Sequence, residues 1–268
     1  MNTPNPSVVA DHEQLEHGRV AVARACRVLA AEGLVSDILG HVSLRIDASH
    51  MLIRARSASD PGLLLTRPQD IVLTDFDGNP AEEIGDHQLP NELPIHGEVL
   101  RGRPDDGAVV HAHPPDVVLC SIAGLPLRPV FGAFNIPAMR LAERGIPVFE
   151  YYGLIKSRER AAQMMEAMEG TRALVLRGHG LTTAAPSLAG AVVTALNVNV
   201  LARMTAALAA TGYSAPEVPA ADRAELPDLG AGFNDELVWR HHMAKLAWRG
   251  LDFESPGGYG QEHVRSSI

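Results

Sequence analysis

The 268-residue chain has little of three things. Cysteine occurs only as Cys26 and Cys120, and two thiols among apolar neighbours in a chain this long make no disulfide framework. Both read as buried free thiols in a reducing compartment. Positive charge is in deficit: 23 Lys and Arg against 32 Asp and Glu give a net charge of −9. Such a surface repels a phosphate backbone or an anionic bilayer, which speaks against nucleic acid and membrane as partners. Long apolar runs are also missing. No window approaches 18 uninterrupted apolar residues, and the opening MNTPNPSVVADHEQLEH pairs no basic segment with an apolar one. The expectation is a cytoplasmic protein.

What is present is ample material for a core. Apolar residues make up 46% of the chain, close to ordinary globular usage of roughly 45–50%. Leu15, Val22, Cys26 and Leu29 recur at helical spacing, and Gly33 is placed to end that helix. Three strand-like runs follow, GHVSLRID, MLIRARS and DIVLTDFDGN. Their close spacing predicts an antiparallel sheet. A second helix is expected from about Glu92 to Arg103, a short strand from Ala108 to His113 stopped by Pro114–Pro115, and a helical stretch from Asp116 to Ala123. IPVFEYY reads as a strand, RERAAQMMEAMEG as a helix, and ALVLRGHG as a buried strand running into a glycine-flanked histidine. A long helix from Ser187 to Thr211 is apolar on all sides, which implies burial on more than one face. The expected organisation is a flexible stretch over 1–10, one α/β domain over 11–212, and a linker, final helix (about Asp235 to Arg249) and tail over 213–268.

The sharpest chemical signal is His111-Ala112-His113 at the end of a predicted strand. Side chains two apart on a strand share a face and can converge on one ion. His-x-His also arises by chance in a chain with 12 histidines, so a third ligand is needed. His179, flanked by Gly178 and Gly180, is the best candidate. Three neutral imidazoles leave an open coordination position, the arrangement of a catalytic ion. Zn suits such a set, as do Fe, Co and Mn.

The run P-N-E-L-P-I-H-G-E-V-L-R-x-R-P-D-x-G-A-V-V-H-A-H-P over 90–114, with G-H-V-S at 40, L-T-R-P at 65 and L-x-x-H-G at 176, resembles the class II aldolase/adducin family over about residues 15–210. The resemblance implies a three-layer α/β/α fold around a mostly antiparallel sheet and a homotetramer with active sites at subunit contacts. It also implies a divalent metal on His111, His113 and His179, with Glu92 as acid/base. Sugar-phosphate members hold phosphate through glycine and small hydroxyls. At the corresponding positions this chain reads Gly40-His41-Val42-Ser43, Thr66-Arg67-Pro68-Gln69 and Pro90-Asn91-Glu92. The expected substrate is therefore a non-phosphorylated small-molecule carboxylic acid, contacted by His41, Ser43, Arg67 and Asn91. Arg67 reads equally as a surface arginine.

With the phosphate pattern replaced, the resemblance implies a carbon–carbon lyase, similar to the family's decarboxylases of hydroxylated aromatic or ring-opened diacids, with a role in aromatic catabolism. Glu92, or His96 one turn later, would protonate the carbanion. Tyr259 either reaches a neighbouring site as proton donor or belongs to a disordered end. An aldolase on a non-phosphorylated hydroxy-keto acid or sugar, a dehydratase, and a non-enzymatic adducin-like module are the alternatives.

Overall fold

In the computed structural model of the chain, residues 12–253 are described, apart from positions 36, 169 and 214. Tyr259 and the stretch over 1–10 lie outside them. Helix α1 (His12–Ala31) ends in a Schellman cap: Leu34 N–H donates to Leu29 O and Gly33 N–H to Ala30 O, with Gly33 at φ +77°. Strands β1 (His41–Arg45), β2 (His50–Arg54) and β3 (Ile71–Asp75) then form a meander. Helix α2 (Leu93–Gly102) leads into β4 (Ala108–Ala112), and α3 (Pro115–Ile122) follows the proline stop. After α4 (Ile136–Leu141) come β5 (Val148–Phe149), α5 (Arg158–Met168), β6 (Ala173–Leu176) and β7 (Gly180–Ala185). The chain closes with α6 (Leu188–Ala210), α7 (Ala220–Glu225), a π-helical turn (Gly232–Leu237) and α8 (Val238–Trp248).

The seven strands form one sheet in the order β3-β2-β1-β4-β7-β6-β5. Every pairing is antiparallel except β5 with β6. Alternation along β4 divides the core into two layers. Val110 belongs to the cluster that α1, α3 and α6 build with Val28, Val117 and Val192. Val109 belongs to the opposite cluster, with Ile95 and Val99 of α2 and Met164 of α5. Each such side chain contributes about 1.5–3 kcal/mol on burial. The result is the expected three-layer α/β/α domain.

Helix α6 is long and apolar enough, by length and composition, to cross a membrane. Here it is the central packing helix, with Leu188, Val192, Ala195 and Leu201 buried in the core beneath β4 and β7. Its Ser187 cap accepts from Gly190 N–H at 3.0 Å. Cys26 and Cys120 are buried and free.

The C-terminal part differs from its reading as linker and helix. Helix α7 forms within the Ala/Pro-rich stretch, and because it buries no residue it leaves no apolar period in the sequence. Helix α8 starts at Val238, three residues later than its expected start, after the π-helical turn. It lies on α1, where Leu246 is buried and Lys245 Nζ stands 2.7 Å from Glu32 Oε1. IPVFEYY yields only the two-residue β5, and α4 was not anticipated.

Candidate metal centre

The sheet register assembles the site. Cross-strand partners point to the same side, and His41 of β1, His111 of β4 and Thr182 of β7 lie in one row, His41 opposite His111 and His111 opposite Thr182. That row faces α2, whose first turn supplies Glu92 and His96. His113 continues the His111 face just past β4. His179 arrives from the tight turn between β6 and β7. A Cβ on Gly180 would lie 2.3 Å from Ala112 O and 2.8 Å from His113 Cδ2, so only glycine lets this turn approach β4.

The three imidazoles form a near-equilateral triangle, with ring centroids 4.8 Å (His111–His113), 5.0 Å (His111–His179) and 4.9 Å (His113–His179) apart. His113 Nε2 is 2.9 Å from His111 Nε2. Glu92 Oε2 sits 3.5 Å from His111 Nε2 and 3.4 Å from His179 Nε2. One ligand atom from each of the four residues lies within 4.8 Å of every other. Both ring nitrogens of His179 are buried without a hydrogen bond. Buried polar atoms ordinarily find partners, and a divalent cation would satisfy these nitrogen lone pairs together. The donor set of three imidazoles and a carboxylate fits such an ion.

Supporting contacts orient the set. With its Nδ1 protonated, His111 donates to Thr182 Oγ1 at 3.3 Å, which turns the Nε2 lone pair toward the centre. Glu92 Oε1 accepts from Ile155 N–H at 2.8 Å, leaving Oε2 for the cluster. Burial alone would raise the Glu92 carboxyl, but the His111 and His179 rings outweigh it and hold the group well below the usual carboxylate range. Burial, then the neighbouring histidines, lowers His113 to about 3.

A second group of histidines stands beside the first. Ser43 and His96 are fully buried, with Ser43 Oγ 2.6 Å from His96 Nδ1 and His96 Nε2 2.7 Å from His41 Nδ1. With Ser43 Oγ–H donating to His96 Nδ1, His96 keeps its proton on Nε2 and donates to His41. His41 then carries its own proton on Nε2. Burial first, then the His111 charge, lowers His96 to about 3, and burial, then His96 and His111, holds His41 well below the usual imidazole range, so both rings in this chain are neutral. His41 also stacks on His111 at 5.0 Å.

Above these residues lies a cavity of about 350 Å³, lined among others by His41, Asn91, Glu92, His113 and His179. Of the expected residues, these five reach it, and His111 lies beneath it in the cluster. Ser43 and His96 sit behind His41 and do not line the cavity. His96, expected to deliver a proton directly, is thus placed behind His41 and off the cavity wall. Arg67 is also corrected. Its side chain is 56% exposed and paired with Asp70, and it does not line the cavity. The arginines that do are Arg54 and Arg56, which the sequence reading missed. The signal was the period of β2, which continues past its end and sends residues 54 and 56 to one side. Tyr152 also lines the cavity, whereas Tyr151 packs with the core layer of α2 and α5.

Comparison with known proteins agrees with this geometry. The class II aldolase and adducin N-terminal domain family matches residues 20–206, and the chain belongs to that family. A 3,4-dihydroxyphthalate decarboxylase of Arthrobacter keyseri is 49% identical over 235 residues, covering 86% of this chain and 95% of the relative. The enzyme of the same name from Rhodococcus jostii is 45% identical over 236 residues, covering 87% and 97%. Among solved structures, an aldolase II superfamily protein from Pseudomonas syringae superposes with a TM-score of 0.75 at 21% identity, covering 90% of this chain and 96% of that one.

Proposed function

We propose that the chain is a divalent-metal-dependent decarboxylase of a non-phosphorylated, hydroxylated aromatic dicarboxylic acid of the 3,4-dihydroxyphthalate kind. The observation that carries the reading is a complete His111–His113–His179 triad with Glu92 in a chain nearly half identical, almost end to end, to decarboxylases of that acid. The bound ion, held by the three imidazoles, would supply Lewis acidity to neighbouring substrate oxygens.

The remaining work falls to the chain. Glu92, ionised at rest, takes the proton of a substrate hydroxyl on Oε2. The bond between ring carbon and departing carboxylate breaks, CO2 leaves, and the electron pair stays on the ring carbon. Glu92 returns its proton to that carbon, and water restores the hydroxyl. His41 donates its Nε2–H to a substrate oxygen, and Asn91 contacts the same ligand from the cavity wall. His96 and Ser43 fix the His41 tautomer.

Zinc is the proposed ion, with Fe, Co or Mn as substitutes. A cytoplasmic homotetramer with sites at subunit contacts is proposed, and the partly exposed Ile38, Leu39 and Leu154 lining the cavity support the subunit contact. The test is to load the purified protein with metal, add 3,4-dihydroxyphthalate, and follow CO2 and the monoacid product. Stoichiometric release of both is expected. A metal-replete protein that yields no CO2 from this acid, but releases aldehyde from an unphosphorylated hydroxy-keto acid, overturns the reading in favour of an aldolase.

A further inference from the structure

Two arginines line the cavity, and they are not equivalent. Residues 54 and 56 project to one side of the extended chain, while Ala55 between them enters the core. Arg54 is fully engaged. Its Nη2 meets both oxygens of Asp60 at 2.6 and 2.8 Å, its Nε donates to Thr66 Oγ1 at 3.1 Å, and its Nη1 donates to Ile38 O at 3.3 Å. That guanidinium is neutralised by Asp60, and four of its five donors are taken.

Arg56 is the opposite case. Its backbone is fixed by a reciprocal bridge to Gln88, with Arg56 N–H donating to Gln88 O at 3.0 Å and Gln88 N–H to Arg56 O at 2.8 Å. The origin of its side chain is therefore set, two residues' distance from the Pro90–Asn91–Glu92 turn. Arg56 is half-buried and lines the cavity, and its side chain has no hydrogen-bond or carboxylate partner among the described residues. In a chain with nine more acids than Lys and Arg, carboxylates to pair with are plentiful. A cation left unpaired beside a cation-binding cluster fits a ligand that brings its own second negative charge. A guanidinium offers a planar fork of donors that matches a carboxylate bidentately.

We infer that Arg56 is the specificity-determining residue of this cavity: it receives the carboxylate that the product retains, and so selects diacids over monoacids. This rests on the decarboxylase reading above for the identity of the ligand. The departing carboxylate and the hydroxyl pair then belong to the His cluster, and the retained one to Arg56.

The experiment uses the full chain loaded with metal, as wild type, R56M and R56K, each checked for metal content and melting temperature. The first arm measures binding of 3,4-dihydroxybenzoate against catechol, two diols that differ only in a carboxylate and need no turnover. Wild type is expected to prefer the acid by about tenfold or more, as loss of a hydrogen bond to a charged group implies. R56M should abolish that preference with catechol binding unchanged, and R56K should keep part of it. The second arm measures turnover. R56M should raise KM for 3,4-dihydroxyphthalate by about 10- to 100-fold while leaving KM for 2,3-dihydroxybenzoate, which lacks the second carboxylate, where it was. An R56M protein that keeps the preference for the acid, or that weakens acid and catechol equally, overturns the inference. If wild type shows the expected preference and R56M loses it, yet no CO2 is released, the decarboxylase reading fails while Arg56 stands as the carboxylate-binding residue of the cavity.

Discussion

Five histidines crowd one end of the sheet, and they fall into two groups that differ in a single respect. In the Ser43–His96–His41 chain, both ring nitrogens of His96 and the Nδ1 of His41 have protein partners. In the His111–His113–His179 triangle, ligand atoms face each other within 4.8 Å, and neither ring nitrogen of His179 has a hydrogen bond. The satisfied group is complete as protein apart from His41 Nε2, and its remaining contacts hold that ring in place. The unsatisfied group is complete only with a ligand. Buried histidines thus divide by hydrogen-bond accounting, before any activity is known.

The sharpest way to break this division is His111→Ala. Metal analysis should show loss of the stoichiometric ion, with CO2 release down by about three orders of magnitude or more. Retention of both would erase the distinction. Next is Glu92→Gln, which keeps shape and removes the proton-carrying carboxylate. Turnover should fall by about 10²- to 10⁴-fold while the ion stays bound.

Ser43→Ala probes the other group. It orphans His96 Nδ1 and should cost about 1–3 kcal/mol of stability by denaturant titration, with metal content unchanged. Loss of metal in that variant would merge the two groups.

The smallest effect is in pH. His96 titrates near 3 in the fold and near 6.5 when unfolded, so below 6.5 the unfolded chain binds a proton that the fold refuses. Its contribution to stability is intact above 6.5 and is lost as pH falls from there toward 3. The slope reaches about 1.4 kcal/mol per unit. Melting curves of the metal-free protein should show this decline, and His96→Asn should flatten it.

Local order made much of this legible beforehand. The period of a strand puts His111 and His113 on one face whatever the rest of the fold does, and glycines beside His179 mark a close approach. Pairing between distant strands is not written locally. Only the β1–β4 register sets His41 over His111, and His96 is buried behind it, so the sequence reading placed His96 at the substrate when the fold places it behind His41. Arg67 misled for a related reason. It lies in a short 3-10 turn that its own Asp70 satisfies, while the arginines facing the cavity extend the alternation of β2. Helices α4 and α7 escaped notice because six residues are too few to display a period.

The close contact at Gly180 carries one more lesson. Two of the three imidazole positions ride on β4 or its immediate end, and the third on the turn that opens β7, its hydrogen-bonded neighbour. The cage dimensions therefore belong to the main chain and not to the side chains that fill it. Replacing an imidazole by a thiolate or a carboxylate would alter which ion is preferred while leaving the frame intact. A scaffold of this kind can be refitted for new chemistry without being rebuilt.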